Sequence, residues 1–119
     1  MPDLDTAKQK TLSMLGLARR AGKLSMGHDM AEQAILKKKA KLLLFCSDVS
    51  PRLIKEFEKT LEKHSINITV IKTDFTLNEI HFGIGYKAGV LTVDDENFSK
   101  RIAELLNFDS KTGGNANGS

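Results

Sequence analysis

Cysteine occurs once in the 119 residues, at Cys46. No internal disulfide can form, which excludes a disulfide-stapled scaffold and fits a reducing compartment. Long apolar runs are missing too. The longest, residues 42–46, is far too short to cross a bilayer. The first ten residues carry Asp3, Asp5, Lys8 and Lys10 and no apolar stretch, so no secretory leader is expected. These absences point to a soluble, cytoplasmic protein without a membrane partner.

Catalytic signatures are equally scarce. His28, His64 and His81 fall on separate elements, and none stands at metal-ligand spacing from another histidine or from Cys46. Cys46 lies in the most apolar stretch, where a thiol behaves as a small inert hydrophobe. Asp94-Asp95-Glu96 opens a predicted helix and reads as cap and dipole partners rather than as a Mg²⁺ site. Gly83-Ile84-Gly85-Tyr86-Lys87-Ala88-Gly89 looks like a dinucleotide loop, but its glycines follow a short helix and lead into a strand, the reverse of the Rossmann order. Close packing is the plainer reading there. No phosphate-binding Gly-x-x-x-x-Gly-Lys-Ser/Thr run exists, and no acid is paired with a base. The expectation is a non-enzyme with no cofactor, no metal and no small-molecule substrate.

What is present suffices for one core. A chain of this length fits one domain and buries roughly two-thirds of its unfolded surface. The net charge is +3, unevenly placed. Residues 1–41 hold nine Lys/Arg against four Asp/Glu, and residues 42–119 hold nine against eleven. A basic part beside a mildly acidic one suits a face that meets a polyanion.

The apolar spacing predicts a helix from Asp5 or Thr6 to about Arg20, with Leu12, Leu15 and Ala18 on one side and Met14, Leu17 and Ala21 widening the face. A short strand over residues 23–26 follows, then a helix over 28–38 with Ala31, Ala34 and Ile35 at i, i+3, i+4. Residues 41–47 form the clearest strand, continuously apolar as expected where both faces are covered. Ser50 and Pro51 open a third helix to about His64. A strand over 66–71 alternates Ile66, Ile68 and Val70. Thr76-Leu77-Asn78-Glu79 fits a capping box and opens a short helix containing Ile80 and Phe82. A strand over 89–93 precedes a helix capped by Asp94 or Asp95, carrying Phe98, Ile102 and Leu105. Residues 1–4 are expected to fray. From Phe108 the chain turns to Ser, Gly and Asn, so 108–119 is expected as a disordered tail to a single domain over 1–107. The order of elements argues for a three-layer α/β/α sandwich around a four-stranded mixed sheet.

The stretch around which the chain is organised runs from Arg19 to Ile35. Gly22 can close the first helix, and Gly27 leaves room for close approach at the start of the second. A helix N-terminus offers free N–H groups and partial positive charge, suited to phosphate or a base edge. Arg19, Arg20 and Lys23 precede it in sequence, and Lys37, Lys38, Lys39 and Lys41 follow. Solvated lysines at an ordinary helix junction are the competing reading. The Gly27 helix start, the loop at Ser47 and Asp48, and the loop Lys72-Thr73-Asp74-Phe75-Thr76 can converge at one end of the sandwich. Phe75 on that loop either stacks a base or, the preferred reading, caps the core from outside.

Three blocks together resemble the ribosomal protein L7Ae/L30e superfamily, and within it the small bacterial YlxQ-like branch. They are Leu15-Gly16-Leu17-Ala18-Arg19-Arg20-Ala21-Gly22-Lys23-Leu24 with Gly27, then Lys39-Ala40-Lys41-Leu42-Leu43-Leu44-Phe45-Cys46-Ser47-Asp48-Val49-Ser50, then Glu79-Ile80-His81-Phe82-Gly83-Ile84-Gly85 with the strand that follows. The resemblance spans about residues 5–107. It implies an α/β/α sandwich, RNA as partner, and association with the ribosome or translation proteins.

Members that bind kink-turn RNA set a helix N-terminus against tandem sheared G·A pairs through a Gly-x-Asn-Glu-x-x-Lys motif. The matching positions here are Gly27, His28, Asp29, Met30, Ala31, Glu32 and Gln33, and only the glycine is kept. Asp29 can accept but not donate, Met30 cannot accept from a guanine edge, and Gln33 lacks the charge of a phosphate-contacting lysine. Each lost base-edge pair is worth about 1–3 kcal/mol by analogy with DNA readout. The resemblance sets the loop that grips a flipped-out nucleotide at residues 73–77. Arg19, Arg20, Lys23, Lys37, Lys38 and Lys39 would remain for phosphates, which position without specifying. The expected function is RNA binding with a degenerate kink-turn motif. The alternative is a protein-interaction module on the same fold. A fragment of an RNA-modifying enzyme is a distant third.

Overall fold

The computed structural model describes the backbone of residues 2–114 and the side chains of residues 7–106. Helix α1 (Pro2–Arg20) leads into strand β1 (Leu24–Met26), helix α2 (His28–Leu36) and strand β2 (Leu42–Phe45). Helix α3 (Pro51–Lys63), strand β3 (Thr69–Lys72), helix α4 (Leu77–Ile84), strand β4 (Val90–Val93) and helix α5 (Glu96–Gly114) complete the chain. Residues 115–119 of the expected tail lie outside the described residues. Helix α5 runs past Phe108, because extending an existing helix costs little once its first turn is formed. Helix α1 likewise begins at Pro2, inside the stretch expected to fray.

The sheet has the order β1-β4-β2-β3. Strand β2 pairs in parallel with β3 and antiparallel with β4, and β1 pairs antiparallel with β4. The sheet is therefore mixed, and β2 is interior. Its side chains alternate between two cores, which explains the unbroken apolar run. Leu42, Leu44 and Cys46 join Leu15, Phe75, Ile80, Ile84 and Ile102 under α1, α4 and α5. Leu43 and Phe45 join Ala31, Ala34, Ile35, Phe57 and Leu61 under α2 and α3. The result is the three-layer α/β/α sandwich.

Local chemistry fixes the helix starts. The Ser50 hydroxyl accepts from the Leu53 N–H at 3.2 Å, with Pro51 at the first helical position. Thr76 and Glu79 form a complete capping box. Asp95 caps α5, its carboxylate accepting from the Phe98 N–H at 2.9 Å. Strand β3 begins later than expected, at Thr69. It is an edge strand whose only partner starts at Leu42, opposite Thr69, so Ile66 and Ile68 pack on the core from the preceding loop. Alternation reports burial, and pairing needs a partner strand. On α4, Ile80 and Ile84 are buried while Phe82 is 95% exposed, since residues two apart face opposite sides of a helix. Leu17 of α1, two residues after buried Leu15, is exposed for the same reason, and Ala21 is exposed in the turn beyond the helix.

Candidate nucleic-acid interface

Backbone hydrogen bonds sort the loops between the two ends of the sheet. At one end, the Gly27 N–H donates to the Val90 carbonyl at 2.9 Å and the Cys46 N–H to the Gly89 carbonyl at 2.8 Å. The Thr73 N–H donates to the Phe45 carbonyl at 2.9 Å. At the other end, the Lys41 N–H donates to the Val93 carbonyl and the Asp94 N–H to the Lys23 carbonyl, both at 2.8 Å. The start of α2, the loop after β2 and the loop after β3 thus lie at the same end of the sheet, spread across its width.

The basic residues do not join them. Helix α2 rises about 13 Å over its nine residues, carrying the chain from Gly27 to Lys37 at the far end. Lys23 and Lys37 lie at the end opposite Gly27, with Arg19 and Arg20 at the close of α1 just before Lys23. Sequence proximity across one short helix and one short strand had concealed a full sheet length. Arg19 is also engaged, its guanidinium donating to the Ile84 carbonyl at the C-terminus of α4, where positive charge suits the helix dipole.

Gly27 has φ +93° and ψ 166°, a conformation nearly confined to glycine. It starts α2 without a side-chain cap, leaving the first-turn N–H groups facing outward. Around them the charge is negative. Asp29 Oδ1 lies 3.4 Å from His28 Nδ1, Glu32 Oε1 lies 4.0 Å from the same nitrogen, and Glu56 Oε1 lies 3.4 Å from His28 Nε2. The His28 ring packs edge-on against Phe57 at 5.2 Å between centroids. Ligand atoms of His28, Asp29 and Glu32 lie within 4.8 Å of one another. Asp29 is open to water and His28 and Glu32 are partly so, and exposed acidic groups are common without an ion. Met30 is exposed beside them, and Gln33 is exposed one turn further along.

The loop over residues 73–76 is structural. The Thr73 hydroxyl donates to the Phe45 carbonyl at 2.8 Å and accepts from the Phe75 N–H at 3.2 Å. Phe75 is 1% exposed and sits in the core, with the Lys8 ammonium 5.5 Å from its ring centroid, so it cannot stack a base. A polar loop concealed an inward-facing ring, because its neighbours Thr73 and Thr76 satisfy the backbone around it. Asp74 is exposed, 4.0 Å from Lys8. The Asp48 carboxylate accepts from the Leu77 N–H at 3.0 Å and is spent on starting α4.

A different loop is the true neighbour of Gly27. Strand β4 lies beside β1, whereas β3 is three strands away in the order β1-β4-β2-β3. The segment over residues 85–89 therefore enters β4 next to Gly27, whose N–H meets the Val90 carbonyl, and its Tyr86 and Lys87 are exposed. The sequence offered only a glycine-flanked segment as signal, and it read as packing. The glycines do pack: a Cβ at Gly83 would approach Leu12 at 2.9 Å, and one at Gly89 would overlap the Val49 side chain.

Comparison with known proteins follows this geometry. The model of the ribosomal protein L7Ae/L30e/S12e/Gadd45 family matches residues 9–102. The RNA-binding protein YlxQ of Enterococcus faecium is 32% identical over 99 residues, which is 83% of this chain and 93% of that protein. A solved structure of a protein with unknown function from Bacillus halodurans C has a TM-score of 0.70 at 27% identity, covering 82% of this chain and 97% of its own.

Proposed function

We propose an RNA-binding role for this chain, which belongs to the ribosomal protein L7Ae/L30e/S12e/Gadd45 family. It binds structured RNA, in the ribosome or elsewhere in translation, through the end of the sandwich where α2 begins. The observation that carries this reading is the uncapped first turn of α2, held open by Gly27 beside the exposed Tyr86 and Lys87. Free N–H groups donate to a phosphate or to an acceptor on a base edge, and an exposed tyrosine ring offers a face on which a base can stack. The name of the Enterococcus relative agrees with it.

The target differs from a standard kink-turn. Asp29, Met30 and Gln33 lack the donors, acceptors and charge of the family motif, and Asp29, Glu32 and Glu56 set three carboxylates around His28. Those carboxylates repel a phosphate placed directly on the helix start and favour a base edge that donates. They also support a second reading, a protein partner with basic groups docking on this end.

Affinities of the native protein and of Gly27→Ala and Tyr86→Ala for a structured RNA test the proposal. Loss of one stacking contact is worth about 1–3 kcal/mol, so Tyr86→Ala weakens binding roughly 5- to 150-fold. Unchanged affinity in both variants removes RNA from this end. Tight binding of a basic protein segment in place of RNA would favour the second reading.

A further inference from the structure

We propose that the lysine-lined groove between the α2–β2 turn, the start of β3 and α5 is a second RNA-backbone site, so that one chain grips two segments of RNA at opposite ends of its sheet. The inference rests on the RNA-binding reading and adds a surface that reading does not use. The groove has a volume of about 550 Å³ and is lined by Lys38, Lys41 and Lys100, with Ser65 and Thr69 along its floor. Lys23, Lys37 and Lys39 are exposed at the same end of the molecule. Among the described residues, none of these six lysines takes part in an ion pair. Glu96 is the one carboxylate in the lining. The neighbouring acids are occupied: Asp94 accepts from the hydroxyls of Ser25 and Thr92, and Asp95 caps α5.

Backbone conformation singles out the same groove. Among the described residues, the positive-φ positions other than glycine are Lys38, at +61°, and Ser65, at +53°, and both line it. Lys38 stands just beyond the C-cap of α2, where glycine or asparagine is the usual residue. A lysine there sets an ammonium group at the groove at a conformational cost that glycine would avoid. The lining contains no aromatic residue, so the groove suits phosphates without reading bases, and lysine ammonium groups act as point charges on them. An apolar protein anchor would find no aromatic or fully exposed aliphatic partner there. The two sites are separated by at least the length of a four-residue strand, about 13 Å.

The test is an amide chemical-shift titration of the full chain with single-stranded oligouridylate of about 12 nucleotides, together with binding by Lys38→Gly and by the triple variant Lys38→Gln, Lys41→Gln, Lys100→Gln. The expected shifts fall on Lys38, Lys41, Thr69 and Lys100. The triple variant should lower the slope of log affinity against log salt by about 2, at about 0.7 for each lost single-strand phosphate contact. Lys38→Gly should raise Tm while weakening binding, a combination that unfolding cannot produce. Shifts confined to the first turn of α2 and residues 85–89, or an unchanged salt slope, would overturn the second site and leave the first. Shifts in the groove alone would uphold the second site and leave the first, which takes structured RNA, to the Tyr86→Ala measurement. Shifts at neither end would overturn the second site.

Discussion

A Cβ at Gly27 would meet no heavy atom within 4 Å, yet the position still demands glycine. The constraint is the backbone, with φ +93° and ψ 166°. Gly27→Ala is expected to cost of the order of 1–3 kcal/mol in denaturant unfolding, from conformation alone. Cys46 illustrates the opposite case, a reactive group made inert by its surroundings. Burial, with smaller contributions from Asp48 and Glu79, pushes its thiol up to about 11, and its Sγ–H donates to the Ala88 carbonyl at 3.3 Å. Alkylation at pH 8 should therefore proceed only as fast as the native protein opens, and a burst of modification in native buffer would contradict this. Gly27 and Cys46 were legible from residue type and neighbours. Phe75 was legible only in part: the preferred reading set it against the core, but the sequence of a loop does not say how far a single ring turns in.

At the scale of the element, α4 is held at its first turn. Thr76 accepts from the Glu79 N–H at 3.1 Å, and Glu79 accepts from the Thr76 N–H at 2.9 Å and from Lys8 at 3.2 Å. Thr76→Ala should lower stability by about 1 kcal/mol, read as a shift in denaturant midpoint at constant slope. The Thr76 N–H, and then Lys8, hold the Glu79 carboxyl below its ordinary value against a desolvation that raises it. A depressed acid stabilises the fold above the unfolded pKa, about 4.3 for glutamate, and that contribution is lost as pH falls through the lower folded value. Glu79→Gln should thus lose stability at pH 7 and converge with the native protein in strong acid. Equal differences at both pH values would contradict the linkage. The capping box, the Ser50-Pro51 start and strand β2 were readable because each is specified within a few residues. The start of β3 was not, since an edge strand ends where its partner ends and that partner lies more than twenty residues away.

The whole molecule turns on the separation of charge by the sheet. In sequence, Gly27 stands between two groups of basic residues. In space, α2 and β1 separate Lys23 and Lys37 from Gly27 by the length of the sheet, Arg19 docks on the end of α4, and Asp29, Glu32 and Glu56 are left around His28. The layers and the family could be read from pattern and motif, whereas this polarity could not, because it depends on the direction in which each short element runs. No described helix is long and apolar enough to cross a membrane.

The most direct measurement is a titration of the full chain against three RNAs at two salt concentrations, about 50 and 200 mM. The three are a standard kink-turn, the same RNA with its G·A pairs replaced, and a plain hairpin. The account predicts binding to all three that weakens steeply with salt, with little preference for the intact kink-turn. A strong preference for the intact kink-turn at both salts would contradict the altered specificity assigned to Asp29, Met30 and Gln33. No binding to any of them at the lower salt would contradict RNA binding itself.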